Sequence, residues 1–420
     1  TLSEVTVRGS RTGSGGLSIP KKEVPVSQQT FNLSEVEGMA FTSADEALQG
    51  EIAGLDIVSN SGNLGAGTSM RLRGVSTLSG NAEPLIVVDD KIFDYNSDEF
   101  DVENADEEAF SSLLSVNVDD IASITVLKDA AATAIWGSQG ANGVIQITTK
   151  RGKRGKPKVN LSYKFTGTWM PTGYELLNGD NYTMMLKEEF YNRYQTPTAT
   201  TNIKEINYDK SWADYHNWSN NTDWVDAVTQ FGEQHEMNFN VTGGGEKATF
   251  RISGGYYNET GTIIKQQLDR LTTRLVLDYN VSDRIRFSTN FALTYTDNLK
   301  NYTIGSSKTS RSNNDILPMA LAQAPNASIF RRTATGEYTD EYFLMNPAVS
   351  GKTPADGAYT SYELSDLVAI GNPVAYANNS WQKEQTYNIV PDFALKYELL
   401  GTDVGQHRLT FNGRVYFDIY

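Results

Sequence analysis

The sequence predicts an α/β domain followed by strands of an antiparallel transmembrane β-barrel. Two patterns carry that prediction. Residues from about 32 to 150 mix short apolar, β-branched runs with capped helical stretches. From about Lys158 onward, long segments alternate apolar and polar residues with period two. A third observation agrees: no stretch approaches the roughly 18 to 20 apolar residues that a membrane helix needs, whereas a barrel strand needs only about 9–11.

The first 30 residues read as a tail. "TLSEVTVRG" suits a short extended segment, and "SRTGSGGLSIPKKEVP" is a flexible Gly/Ser/Pro linker. The α/β domain follows, over residues 31–155. In "SADEALQGEIAGLDIV", Ser43 and Glu46 form a capping box for a short helix that Gly50 and Gly54 then break. "SMRLRGVS" sets Met70, Leu72 and Gly74 on one face and Arg71 and Arg73 on the other. "PLIVVDD", "IASITVLK" and "GVIQITTK" read as strands. "DAAATAIWG" reads as a helix with Asp129 as N-cap and Gly137 just past its end.

Residues 156–420 read as barrel. "VNLSYKFTGTW" places Val159, Leu161, Tyr163, Phe165 and Trp169 on one face. Later segments give Met237, Phe239 and Val241; Phe250, Ile252 and Tyr256; Leu271, Leu275, Leu277 and Tyr279. Then come Ile285, Phe287, Phe291, Leu293 and Tyr295; Tyr387, Ile389, Phe393, Leu395 and Tyr397; and Leu409, Phe411, Val415, Phe417 and Ile419. The opposite faces carry Lys, Arg, Asp and Asn. Short turns ("TGGGEKA", "SDR") alternate with long insertions over about 171–233 and 298–383. Strands this long exceed the usual soluble length of about 5–6 residues, which favours the barrel over a sandwich with one wet face.

Composition removes several classes. The 420 residues include 35 Gly, 22 Tyr and 17 Phe but no Cys, so disulfides, zinc–thiolate sites and thiol nucleophiles are absent together. A formal charge of −15 argues against nucleic acid as a partner. His216, His235 and His407 form no zinc-binding pair, and no G-x-S-x-G elbow occurs, so no enzymatic activity is expected. Gly137, Gly140 and Gly143 resemble a phosphate cradle in spacing only. A helix precedes them and a strand follows, the reverse of a nucleotide fingerprint. They read instead as a helix stop, a tight turn and a point of close packing.

"ALQGEIAGLDIVSNSGNLGAGTSMRLRGVST", "PLIVVDD" and "DDIASITVLKDAAATAIWGSQGANGVIQITTKRGK" closely resemble the plug domain of SusC-like TonB-dependent outer-membrane transporters. "NTDWVDAV", "FNVTGGGEKATFRISGGYYNETGTI", "LDRLTTRLVLDYNVSDRIRFSTNFALTYTDN" and "NPVAYANN" resemble the first barrel strands of the same family. The chain departs from the family at Asp90, where Gly is usual, and at Gln139, where Arg is commoner. It also carries an acidic insertion over residues 93–117, following the "VVDD" strand where the family plug turns over at its ligand-facing apex.

The resemblance implies an outer-membrane protein of a Gram-negative bacterium that imports a nutrient, an oligosaccharide or an oligopeptide. Its implied partners are TonB in the periplasm, a SusD-like surface lipoprotein lid and outer-membrane lipid, and it leaves a dimeric complex open. The alternative is a non-transporting structural or assembly component that reuses the fold. A barrel enclosing such a plug needs about 22 strands. Seven alternating segments cannot close one, so the expectation is an N-terminal piece of a longer polypeptide.

The resemblance makes Leu2, Ser3, Glu4, Val5, Thr6 and Val7 the TonB box, gripped by backbone hydrogen bonds as an added strand. Ligand contacts are expected from Phe93, Tyr95 and Phe100 in the acidic insertion and from Trp212 and Trp218, whose faces suit sugar rings. Trp224 reads as structural. Asp94, Asn96, Asp98 and Asp101 could supply oxygens to a structural calcium, but the segment lacks EF-hand spacing and a solvated acidic loop is the preferred reading. No other cofactor is expected.

Overall fold

Two sheets of opposite character dominate the computed structural model. It describes residues 11–12, 19–20, 28–31, 48–59, 64–65, 68–72, 83–92, 116–129, 133–195, 210, 214–300, 316–343, 371–400, 409–417 and 419. The proposed TonB box at 2–7, the Ser43 capping box, Phe93, Tyr95, Phe100, the calcium candidates Asp94, Asn96, Asp98 and Asp101, Trp212 and His407 lie outside these residues.

β1 (Arg11–Thr12) and β2 (Ile19–Pro20) form a minimal antiparallel ladder. The α/β domain is built on β3 (Gln28–Phe31), β4 (Leu55–Ser59), β5 (Thr68–Leu72), β6 (Leu85–Val88), β7 (Lys91–Ile92), β8 (Ile121–Leu127) and β9 (Val144–Thr149). Its main sheet has the order β3-β8-β9-β6-β7, and only β6 and β9 run parallel. The apolar runs read from the sequence make its core: Val87, Ile121, Ile124, Val126, Val144, Ile145 and Ile147 are fully buried. β4 and β5 pair separately and turn Leu55, Ile57, Met70 and Leu72 onto that core.

The glycine segment is mechanical, with one correction. The helix expected to stop at Gly137 is a pair of short 3-10 turns within Ala134–Gly140, joined at Gly137 by φ 61° and ψ −143°. That backbone state favours glycine, so the chain turns again instead of leaving. Gly143 has φ +98°, and a Cβ there would collide with Leu72 Cδ2, which is the close packing expected of it.

The second sheet holds seven strands in sequence order: β10 (Gly155–Thr168), β11 (Gly232–Gly244), β12 (Ala248–Thr260), β13 (Gln267–Asn280), β14 (Ile285–Lys300), β17 (Gln382–Leu400) and β18 (Leu409–Tyr416). All neighbours are antiparallel. Among the described residues the sheet is open, with β10 and β18 at its edges.

Each apolar set faces outward. Leu161 is 77% exposed and Phe411 54%, whereas Arg251 on the other face is 6% exposed and Asn298 1%. A soluble sandwich buries the apolar face, so this inversion excludes one. Register sharpens the point. Tyr163, Met237, Tyr256, Leu271, Tyr295 and Tyr387 lie directly opposite one another across six strands. Tyr279, Phe287 and Leu395 form a second row near the other end. Along β14 the rows are separated by the step from Phe287 to Tyr295. At about 3.4 Å per residue and a tilt of about 40°, that is roughly 21 Å, close to the ~25 Å apolar band of a membrane barrel.

The tight turns that follow β11 and β13 lie at one end, which by the usual rule is periplasmic. The long connections lie at the other end and fold on one another. They contain α1 (Gly179–Tyr194), α2 (Trp224–Val228), α3 (Ile316–Ala322), β15 (Phe330–Arg332), β16 (Tyr338–Tyr342) and α4 (Pro373–Asn379). Trp224, Val228, Ile316, Ala320, Val374 and Ala377 share a core there. Asn372, which opens "NPVAYANN", caps α4 by accepting from the Val374 and Ala375 N–H groups and donates to the Ile329 and Phe343 carbonyls.

Candidate functional site: the seam between domain and wall

The α/β domain is fastened to the inward, polar face of the wall. The fastening begins with a turn. Asp89 and Asp90 both take positive φ, 49° and 65°, between the paired residues Val88 and Lys91. That is the geometry of a two-residue hairpin, and aspartate is among the few non-glycine residues that adopt it readily. The turn lies beside Thr149, because β6 runs parallel to β9. It therefore sits at the end of the sheet from which the chain leaves for β10, not at the opposite apex that the family resemblance implied.

Asp89 is a hub. Its Oδ1 accepts from the Thr149 N–H at 2.9 Å. Its Oδ2 accepts from Thr149 Oγ1 at 2.6 Å, Arg274 Nη2 at 2.6 Å and Asn290 Nδ2 at 3.3 Å. Arg274 Nε donates in turn to Asn290 Oδ1 at 3.0 Å. Burial alone pushes the Asp89 carboxyl up, but Arg274 and the Thr149 hydrogen bonds outweigh it and hold it below its ordinary value.

A second fastening comes from the 3-10 turn Val118–Asp120. Asn117 caps that turn by accepting from the Asp119 N–H, while its Nδ2 reaches Asn238 Oδ1 at 3.0 Å and Thr272 Oγ1 at 3.1 Å. The approach is possible because the wall carries Gly255 there, where a Cβ would collide with Asn117 Nδ2. Asp120 accepts from Arg251 Nη2 at 2.9 Å and from Ser253 Oγ at 2.8 Å. Neighbouring Asp119 is pushed up by burial and by Glu236.

Third, Lys91 Nζ lies 3.4 Å from Asp392 Oδ2, and Arg414 holds the same carboxylate with both Nε and Nη2 at 2.9 and 2.6 Å. Burial pushes the Lys91 ammonium below its ordinary value, and Asp392 offsets only part of that. Between these fastenings lies a cavity of about 70 Å³. Its domain side is formed by Val88, Lys91, Ile92, Val116 and Asp120, and its wall side includes Thr272, Arg274, Ala292 and Asn388.

The wall residues of this site were legible only as polar-face positions, and none had been singled out. Trp218, expected to face a ligand, is corrected: it is 7% exposed and meets Phe343 edge-on with ring centroids 5.4 Å apart. The folded connections need a core, and Trp218 is part of it. Trp224 is structural as expected, donating from Nε1 to the Ala324 carbonyl at 2.9 Å.

Residues 20–144 match the TonB-dependent Receptor Plug Domain family. The chain is 28% identical over 383 residues to the TonB-dependent receptor SusC of Bacteroides thetaiotaomicron, covering 90% of this chain and 34% of that one. The chain is similar to the plug-bearing part of SusC-like TonB-dependent receptors. It is also 27% identical over 401 residues to TonB-dependent receptor P3 of Formosa agariphila, covering 95% of this chain and 33% of that relative. It thus spans about a third of the length of the curated receptors it matches. The fold agrees with the RagAB peptide importer in its closed-closed state, with a TM-score of 0.64 at 16% identity over 89% of this chain and 39% of that one. The open-open state gives a TM-score of 0.64 at 17% identity, covering 92% and 40%. The α/β domain of the receptor is therefore its plug, the seven-stranded sheet is part of its barrel, and the outward apolar band sits in the outer membrane.

Proposed function

We propose that this chain forms the plug and part of the barrel of an importer that moves an oligosaccharide or oligopeptide across the outer membrane, driven through TonB. The observation that carries the reading is a plug held against the inward face of a membrane barrel by ion pairs that can break without exposing an apolar core. Such a plug closes a pore and yet is removable. Residues 2–7 would be gripped by TonB as an added strand, with the following linker supplying reach. Cargo would bind at the end of the long connections, under a SusD-like lipoprotein lid. Its arrival would shift the population toward a state in which the tail is available.

Deletion of residues 1–9 tests this. Uptake of the cognate nutrient should vanish while binding at the cell surface persists; unchanged uptake would refute the mechanism. The departure at Asp90 would favour the non-transporting alternative if it disturbed the plug, but Asp90 retains the turn geometry that glycine would adopt. Recovery of a lid lipoprotein with bound oligosaccharide or peptide would argue against it further.

A further inference from the structure

The seam cavity has an electrostatic asymmetry that the import reading does not use. Lys91 and Arg274 both line it. Their partners Asp392 and Asp89 are not among its lining residues. The lining carboxylate Asp120 is already held by Arg251 and Ser253. The space therefore favours an incoming anion. Lys91 points the same way: burial disfavours its charged form, and a second anion nearby would relieve that cost. The remaining surface is aliphatic at Val88, Ile92, Val116, Ala292 and Val390. At about 70 Å³ the cavity has room for a carboxylate head group, and the rest of the ligand would extend out of it.

We propose that the seam cavity binds a carboxylate, carried by a peptide C-terminus or an acidic sugar, between Lys91 and Arg274, and that its binding weakens the ion pairs fastening the plug. A carboxylate placed there competes with Asp89 for Arg274 and with Asp392 for Lys91. Those pairs join the β6–β7 hairpin to the wall, so the ligand that fills the cavity also loosens the plug. The binding stands independently of import; its meaning as a release signal rests on the import reading.

The test uses the purified full-length receptor in detergent and equilibrium titration calorimetry. The probes are trialanine against its C-terminal amide, and trigalacturonic acid against maltotriose. At least one acid should bind, with its uncharged counterpart at least tenfold weaker, and the acid that binds identifies the source of the carboxylate. Ala292→Leu narrows the cavity beside Arg274, its cross-strand partner, and should weaken the acid at least tenfold; protease sensitivity of the ligand-free variant, unchanged from wild type, shows that the Asp89–Arg274 pair still holds. Bound acid should also speed proteolysis of the plug. Equal affinity for acid and uncharged probe, binding of neither acid, or full affinity in A292L would overturn the site; binding with unchanged proteolysis would overturn the coupling. The acid comparison is made on the wild-type protein and stands whether or not A292L folds. Loss of uptake on deleting residues 1–9 is measured separately in cells, so the two readings fail independently.

Discussion

The plug core and the barrel wall use the same alternation of side chains in opposite senses. In β8 and β9, Ile124, Val126, Ile145 and Ile147 turn inward and are fully buried. In β12 and β13, Ile252 and Leu275 turn outward, while Arg251, Ser253, Arg274 and Asp278 are buried. The plug is held together by apolar burial, as a soluble domain is. The wall leaves its apolar side to lipid and spends its polar side on the plug. The difference predicts two separable stabilities: the plug's own folding should be insensitive to polar substitutions on the wall, whereas its fastening should depend on the polar pairs across the seam.

The largest effect should come from breaking a buried pair on one side only. Arg274→Ala leaves Asp89 charged and buried, and should weaken docking of the plug by about 3–5 kcal/mol. Protease sensitivity of the plug against that of the barrel reads this out. Removing Asp89 as well should recover part of the loss, because the cost lies in the orphaned charge. A double variant as loose as the single one would mean that the pair does not act as a unit.

Next comes polarity reversal on the outward face. Leu275→Arg should destabilise the barrel by about 2–4 kcal/mol, as a charge near the bilayer midplane does. Refolding titrations into lipid vesicles measure it, and the plug core should be untouched.

A smaller effect, of mixed sign, comes from pH. The Asp89 carboxyl is depressed, so its contribution to docking is present above its ordinary value of 3.8 and is lost as pH falls through the lower, docked-state value. The Asp119 carboxyl is raised, so its ionisation opposes docking at neutral pH, and that cost disappears as pH falls through its raised value. Asp119→Asn should therefore tighten docking at neutral pH by about 1 kcal/mol or less, within the range of ordinary point substitutions. Thermal melts at neutral pH would show no gain if the sign were wrong.

The smallest expected change is Asp90→Gly, which relieves a non-glycine residue at φ 65°. It should stabilise the plug by up to ~1 kcal/mol, since left-handed backbone costs an ordinary residue roughly 1–2 kcal/mol and aspartate less. A loss on substitution would show that the Asp90 side chain, which accepts from Gln146 Nε2 at 3.0 Å, matters more than its backbone.

Much of the fold was legible because period-two alternation is a local signal. Every alternating segment became a wall strand, from β10 to β18. The direction of the apolar face was not local, since a sandwich and a barrel share the pattern; only the buried partners of the polar face decide it. The site was less legible for the same reason. Asp89 and Arg274 are 185 residues apart, and no spacing rule connects them. Their types were readable as a turn aspartate and an inward-phase arginine, but not their meeting. Trp218 shows the converse failure. A tryptophan in a long connection suits either a ligand or a core, and the choice depends on whether the connections fold together. The 3-10 turns at Ala134–Gly140 differ from the expected helix because Gly137 lets the backbone turn again.

The measurement that bears most directly on the inside-out wall uses single cysteines introduced into these 420 residues, which contain none, with any cysteine elsewhere in the receptor replaced. Single cysteines at Leu161, Leu275 and Phe393 on the outward face, and at Thr272 and Asn290 on the inward face, accept a spin label in the membrane-embedded receptor. Outward labels should be relaxed by dissolved oxygen and shielded from a water-soluble nickel chelate, and inward labels should lack that lipid signature. Outward labels reached by the nickel chelate would contradict the account.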